Sequence, residues 1–256
     1  MRVTILASGS GGNSCLVESD ATRLLVDAGL SSRELERRLA SRQVAPESIQ
    51  ALFLTHEHND HASGALTFGA RWGCPIFATV GTADAVGLDG TLFSPFIRVD
   101  SGREGRIGSI GFRALATPHD ANESVAYAFE ADDARMVIAS DLGRAESSFV
   151  EFLRDATTLL LEFNHDEDML RDGPYTWGLK KRISGGWGHL SNRQSGEAVR
   201  RAAGPKLRRV VATHLSRTNN TPALVLAALS EALERSGWAI PFDVADQITG
   251  FEAFDA

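Results

Sequence analysis

A chain of 256 residues, 43% apolar and 23% charged, can bury one large core, and no apolar run approaches the roughly 18 residues of a membrane span. Its only cysteines, Cys15 and Cys74, lie far apart in apolar contexts, which excludes a disulfide framework, a zinc ribbon and a CxxC redox motif. The net charge of −7 argues against a uniformly polyanion-binding surface, and the opening MRVTILASGSGGNS is too short in its apolar part for an export signal, so the expected setting is the cytoplasm.

Strands are expected at 3–8, 14–19 and 22–28, separated by the turn GSGGN and a polar turn at Asp20. A helix follows from SSRE, where Ser31 and Glu34 have capping-box spacing and Leu35 and Leu39 form an apolar i, i+4 pair before Pro46. IQALFLT (49–55) is apolar enough for a buried strand. A helix around 62–72, a strand at 75–79, a short helix and strand-like runs at 95–99 and 107–116 come next. SVAYAFEA (124–131) and ARMVIAS (134–140) flank an Asp-Asp turn as a hairpin. The second half alternates: a helix near 145–154, the strand TTLLLEF (157–163), a polar helical stretch, a helix capped by Ser191, the strand LRRVVAT (207–213) and a last helix from near Pro222. With no repeat and no Pro-, Gly- or Ser-rich linker, the pattern predicts a single domain over 1–256: two sheets face to face with helices outside.

Directly after the strand at 49–55 stands THEHNDH. His56 and His58 fall on one side of an extended chain, and the turn into the next helix brings Asp60 and His61 beside them. Three imidazoles and a carboxylate suit zinc, manganese or iron. His119, Asp141 and His214 also follow apolar runs. Singly, Asp141 reads equally as a helix cap and His214 as a polar strand terminus. Together with the first cluster they supply the seven or so ligands that two divalent metals sharing a carboxylate and a hydroxide require.

Asp27 in LLVDAG, THEHNDH, His119 in TPHD, Asp141 in ASDLG and His214 in VATHLS resemble, in order and spacing, the metallo-β-lactamase superfamily. The resemblance implies a four-layer αββα sandwich. It places His56, His58 and His119 on one metal, Asp60, His61 and His214 on the other, Asp141 between them, and Asp27 as the acid below the site. Fold alone does not name the substrate. Glu162 and His189 are similar in placement to the pair that protonates the leaving oxygen in superfamily nucleases acting on tRNA 3′ ends; His189 otherwise reads as a helix-start residue beside Ser191.

More narrowly, LASGSGGNSCLVE, TPHDANESVAYAF, LEFNHDEDML, GPYTWGLKKRI, GHLSN and THLSRTNN resemble the YycJ/WalJ-type hydrolases from end to end. That family implies a cytoplasmic 5′-to-3′ DNA exonuclease associated with mismatch repair. The stretch between Asp141 and His214 is too short for the inserted lid of larger nucleases in the superfamily.

Residues 180–217 carry ten Lys or Arg against one acid, a pattern suited to a phosphate backbone, or equally to solvated helix and strand faces. On the first reading His165, Lys180, Lys181, Arg182, Arg193, Arg217 and Asn219 are candidate substrate contacts. Trp177 and Trp187 either stack on bases or belong to the core. Two divalent ions, zinc or manganese, and DNA in preference to RNA are the expected cofactors and partner. The rival readings are a cyclic phosphodiesterase acting on small molecules and a thioesterase-type hydrolase of the same fold.

Overall fold

The computed structural model describes residues 1–88, 95–247 and 249–256. The amino-terminal half builds β1 (Arg2–Ala7), β2 (Ser14–Ser19), β3 (Thr22–Val26), α1 (Ser32–Ser41), β4 (Ala51–Phe53), α2 (Asn59–Ala62), α3 (Ala65–Trp72), β5 (Ile76–Ala78), α4 (Val80–Val86) and β6 (Phe96–Arg98). There follow β7 (Glu104–Ile107), β8 (Ile110–Ala116), β9 (Val125–Ala131), β10 (Ala134–Ala139), α5 (Ser147–Leu153) and β11 (Thr158–Glu162). The chain ends with α6 (Glu167–Asp172), α7 (Trp177–Ile183), α8 (Asn192–Ala202), β12 (Arg209–Thr213), α9 (Pro222–Ser236), β13 (Phe242–Val244) and β14 (Phe251–Asp255).

The strands form two seven-stranded sheets, ordered β14-β1-β2-β3-β4-β5-β6 and β13-β12-β11-β10-β9-β8-β7. The alternation of side chains along each strand divides the apolar residues into three layers of core. Leu24, Val26 and Phe53 meet Tyr127, Met136, Leu160 and Val211 between the sheets. Leu16, Leu25 and Leu52 turn outward under Leu35, Leu39 and Phe68 of α1 and α3. Leu159, Leu161 and Val210 pack under Phe149, Val199 and Leu229 of α5, α8 and α9. Three apolar layers separate four layers of secondary structure, so the αββα sandwich is the observed architecture.

Several local expectations are corrected. The helix expected around 62–72 is two helices, α2 and α3, interrupted at Ser63 and Gly64. Ser31 does cap α1, accepting from Glu34 N, but the Glu34 carboxylate binds Arg37 and Arg38, so the structure shows no reciprocal arm of that capping box. The complete capping box is at Ser191 and Gln194 of α8. The run at 107–116 is a hairpin of β7 and β8, and β14 pairs with β1 at the edge of the first sheet.

Strand direction positions the site. β3 and β4 are parallel, as are β10, β11 and β12. Their carboxyl ends deliver Asp27, Thr55 to His61, Asp141, Glu162 and His214 to one rim of the sandwich, where strand ends commonly build sites.

Candidate metal centre

The imidazoles of THEHNDH are fastened from beneath. Asp27, which is buried, accepts from Thr55 N at 2.8 Å and Thr55 Oγ1 at 2.9 Å, and its Oδ2 faces His61 Nδ1 at 2.8 Å. That bond places the ring proton on Nδ1 and turns the Nε2 lone pair of His61 into the site. Asp27, Asp141 and His214 all adopt left-handed backbone, with φ of 61°, 57° and 54°, which turns each chain sharply at its strand end.

Two clusters result. His56 Nε2 lies 3.1 Å from His58 Nδ1, which lies 3.3 Å from His119 Nε2. Asp60 Oδ2 lies 3.2 Å from His214 Nε2 and 3.6 Å from His61 Nε2. Within each triad, donor atoms lie within 4.8 Å of one another, close enough to converge on one ion. Asp141 stands between them, with Oδ2 2.9 Å from His61 Nε2 and Oδ1 3.9 Å from His119 Nε2. The donor set of imidazoles and carboxylates fits a pair of divalent cations.

The electrostatics show which groups hold protons in the absence of metal. Burial, helped by the charge of His61, drives His56 well below the ordinary imidazole value, and burial also lowers His119. Burial opposes a proton on His214, yet Asp141, Asp60 and Glu162 hold it up at about 10. Burial likewise opposes ionisation of Asp141, which His214 and His61 nevertheless hold well below the usual carboxylate range. His56 and His119 therefore already offer lone pairs, whereas His61, which Asp141 and Asp27 raise against burial, and His214 would have to release protons to ligate.

Glu162 is fully buried beside this centre. Its Oε1 accepts from Leu142 N at 2.8 Å and Leu190 N at 3.1 Å, and its Oε2 faces His189 Nδ1 at 3.1 Å. Burial would raise its carboxyl, but hydrogen bonds from His189 and His214 hold it at about 2. His189, also against the effect of burial, is raised by the hydrogen bond and charge of Glu162. It lines an open cleft of roughly 360 Å³ together with His58, Asp60, His119 and Asp141. Tyr175, Leu179, Arg182 and Ile183, on and just before α7, form the opposite wall. Among the described residues no inserted domain covers the site, and this short helix forms part of its wall.

The substrate-contact expectations divide. Arg182 lines the cleft and pairs with Asp120. Lys181 is exposed, and Lys180 donates to Arg171 O. Arg193 pairs with Glu167 and faces a different hollow, between α6, α8 and α9. Arg217 is exposed beside a third hollow, with Ser8 and Gln247. His165 and Asn219 are buried, 2% and 0% exposed, and neither is among the residues that line the cleft. The basic segment is not one cationic face either. Lys206, Arg208 and Arg209 lie at or before the start of β12, the end opposite His214, and pair with Asp155, Asp133 and Asp243.

Other residues that shape the site carry little signal in the sequence. Asn13 donates to Asp60 O at 3.1 Å and places Nδ2 2.9 Å from His61 Nε2, so the GSGGN turn wraps the ligand loop. Ser8 Oγ accepts from His214 N, and Glu57 Oε1 accepts from Asn122 N, tying the His119 loop to the histidine motif. Gly29 is required by close approach, because a Cβ there would lie 1.7 Å from Asp60 O. The apolar-to-polar switch at strand ends marks the candidate ligands, but it does not mark the residues that brace them.

The sandwich, the two triads and the carboxylate between them define a metallo-β-lactamase-type hydrolase. The family model described as Beta-lactamase superfamily domain matches residues 22–215, and the chain belongs to that family; it is a metal-dependent hydrolase. It is 34% identical to exodeoxyribonuclease WalJ of Streptococcus pneumoniae serotype 2 (strain D39 / NCTC 7466), over 96% of this chain and 93% of the relative. It is 30% identical to exodeoxyribonuclease YycJ of Bacillus anthracis, over 94% of this chain and 92% of the relative. The crystal structure of the metallo-β-lactamase fold protein YhfI from Bacillus subtilis superposes with a TM-score of 0.76 at 19% identity, covering 100% of this chain and 99% of that one.

Proposed function

We propose that this chain, acting as one domain, is a dinuclear metal phosphodiesterase that degrades DNA as a 5′-to-3′ exonuclease and serves mismatch repair. The observation that carries the reading is the Glu162–His189 pair, 3.1 Å apart and open to the cleft beside Asp141. An alkoxide leaving group needs a proton, whereas a thiolate departs without one. The names of the two bacterial relatives support DNA as the substrate.

In this reading His56, His58 and His119 hold one divalent ion, Asp60, His61 and His214 hold a second, and Asp141 serves both, with zinc or manganese suited to the donors. Such ions supply Lewis-acid neutralisation of phosphodiester oxygens and acidify water. Asp27 keeps His61 in its ligating tautomer. Asp60 and Asp141 orient the attacking water through their carboxylate oxygens. Glu162 accepts from His189 Nδ1, which leaves Nε2–H to donate to the departing oxygen. Arg182 stands in the cleft wall to meet the backbone of the strand.

The test compares a 5′-phosphorylated DNA duplex, a cyclic phosphodiester, a generic phosphodiester and a thioester. DNA is expected to turn over fastest. His189→Ala should lower kcat by about 10²–10⁴-fold while metal content is retained, and Asp141→Ala should abolish cleavage in a folded protein. Loss of metal from His189→Ala, or a preference for the thioester, overturns the reading.

A further inference from the structure

Trp187 takes no part in the chemistry described so far, yet it is 58% exposed, an unusual state for so large an apolar ring. It sits two residues before His189, and the intervening Gly188 accepts His119 Nδ1 on its carbonyl at 3.0 Å. Its backbone is held firmly: Trp187 O accepts from Asp120 N at 2.8 Å, and His189 N donates to Ile183 O at 2.8 Å. Packing beneath it is too close for side chains, since a Cβ on Gly188 would lie 2.2 Å from the carbonyl oxygens of Arg182 and Ile183. A Cβ on Gly143 would lie 2.4 Å from Trp187 N, so the loop carrying Asp141 is pressed against the loop carrying His189. This contact brings the Arg144 guanidinium to 5.0 Å from the indole centroid. The indole does not itself line the cleft, but Gly188 and Asp120, bonded to its backbone, do, so two closely packed loops that also carry Asp141 and His189 present its face beside the rim. Trp177 differs: on α7 it lies on the face opposite Leu179, Arg182 and Ile183, which line the cleft.

We propose that Trp187, with Arg144 against its ring, is a stacking platform for a nucleobase next to the scissile phosphate, so the site recognises a DNA strand by a base face as well as by its backbone. The proposal rests on the nuclease reading. An indole face accepts any base, which suits an enzyme that must digest every sequence; Arg144, whose Nε donates to Glu146 and Nη1 to Gly186 O, braces the ring rather than offering a free charge.

The experiment uses the metal-loaded protein and a 5′-phosphorylated oligodeoxynucleotide in which each of the first three bases is replaced in turn by an abasic site. The native protein should lose about tenfold in kcat/KM at one position. Trp187→Ala should be indifferent to that position, and Trp187→Phe should keep the discrimination. With chelator present, the unmodified oligonucleotide should quench tryptophan fluorescence in the native protein by an amount missing from Trp187→Phe. Full discrimination in Trp187→Ala, or no abasic effect at any position, overturns the platform. If the native protein hydrolyses bis(p-nitrophenyl) phosphate but no oligonucleotide, the nuclease reading itself falls.

Discussion

Asp27→Asn is nearly isosteric and alters the atom that faces His61 Nδ1 and accepts from Thr55 Oγ1 at 2.9 Å. Oδ1 of the asparagine still accepts from Thr55 N and Oγ1, at the 2.8 and 3.1 Å of the native carboxylate. Its amide nitrogen replaces the oxygen that faces His61 Nδ1 at 2.8 Å. Donor then meets donor, and the imidazole relieves the clash by moving its proton to Nε2, the atom that faces Asp141 at 2.9 Å and that ligation needs bare. Exchange of a charged hydrogen bond is worth about 1.5–3 kcal/mol, in line with the roughly 10–100-fold loss of metal affinity typical for residues that orient ligands. The loss should fall on the Asp60/His61/His214 triad and spare His56/His58/His119. Competition between the metal-free protein and a chromophoric chelator resolves the two affinities. Two equivalents of metal bound with native affinity would refute the tautomer argument.

Metal-free protein should be most heat-resistant between about pH 4.5 and 6.5. Glu162, lowered from 4.5 to about 2, contributes stability above 4.5 that is lost as pH falls through 2; His214, raised from 6.5 to about 10, contributes below 6.5 and loses it as pH rises through 10. Melting temperatures in chelator should trace that plateau, and one that climbs steadily to pH 10 contradicts the assignment. Cys15 and Cys74 are buried thiols, and burial pushes Cys74 up to about 12. Neither should react with a thiol reagent until the protein is unfolded, so rapid native labelling would show that the packing is wrong. Tyr127→Phe removes the 2.9 Å bond from a buried hydroxyl to Leu54 O and should cost about 1–2 kcal/mol in denaturant titration. An unchanged midpoint would mean that Leu54 O finds another donor.

The layers of the fold were legible because apolar alternation is local: in TLLLE, Leu159 and Leu161 face the outer core and Leu160 the inner one. The clustering of His and Asp at one rim was legible for a related reason, since these residues directly after buried runs have no structural use that requires so many of them. The basic segment misled because its charge is cancelled over long separations, as when Arg208 pairs with Asp133. Asn13, Glu57 and Ser8 act through loops that meet only after both sheets close, so no window around them carries the signal. β13 and β14 are short edge strands of half-exposed residues, whose pattern differs little from that of a loop. His165 and Asn219 are polar types at turns, where burial is decided by what packs over them.

The left-handed backbone at Asp27, Asp141 and His214 bears on how this activity persists through mutation. Each such residue is held in a conformation that costs about 1–3 kcal/mol, and glycine would adopt it freely. Relief of that strain by glycine would come with loss of the buried bonds that each of the three side chains makes, so selection for thermal resistance alone does not favour glycine here. A glycine at any of the three that raised the melting temperature would show that the strain outweighs those bonds, and such a variant should be assayed for metal content as well as for stability.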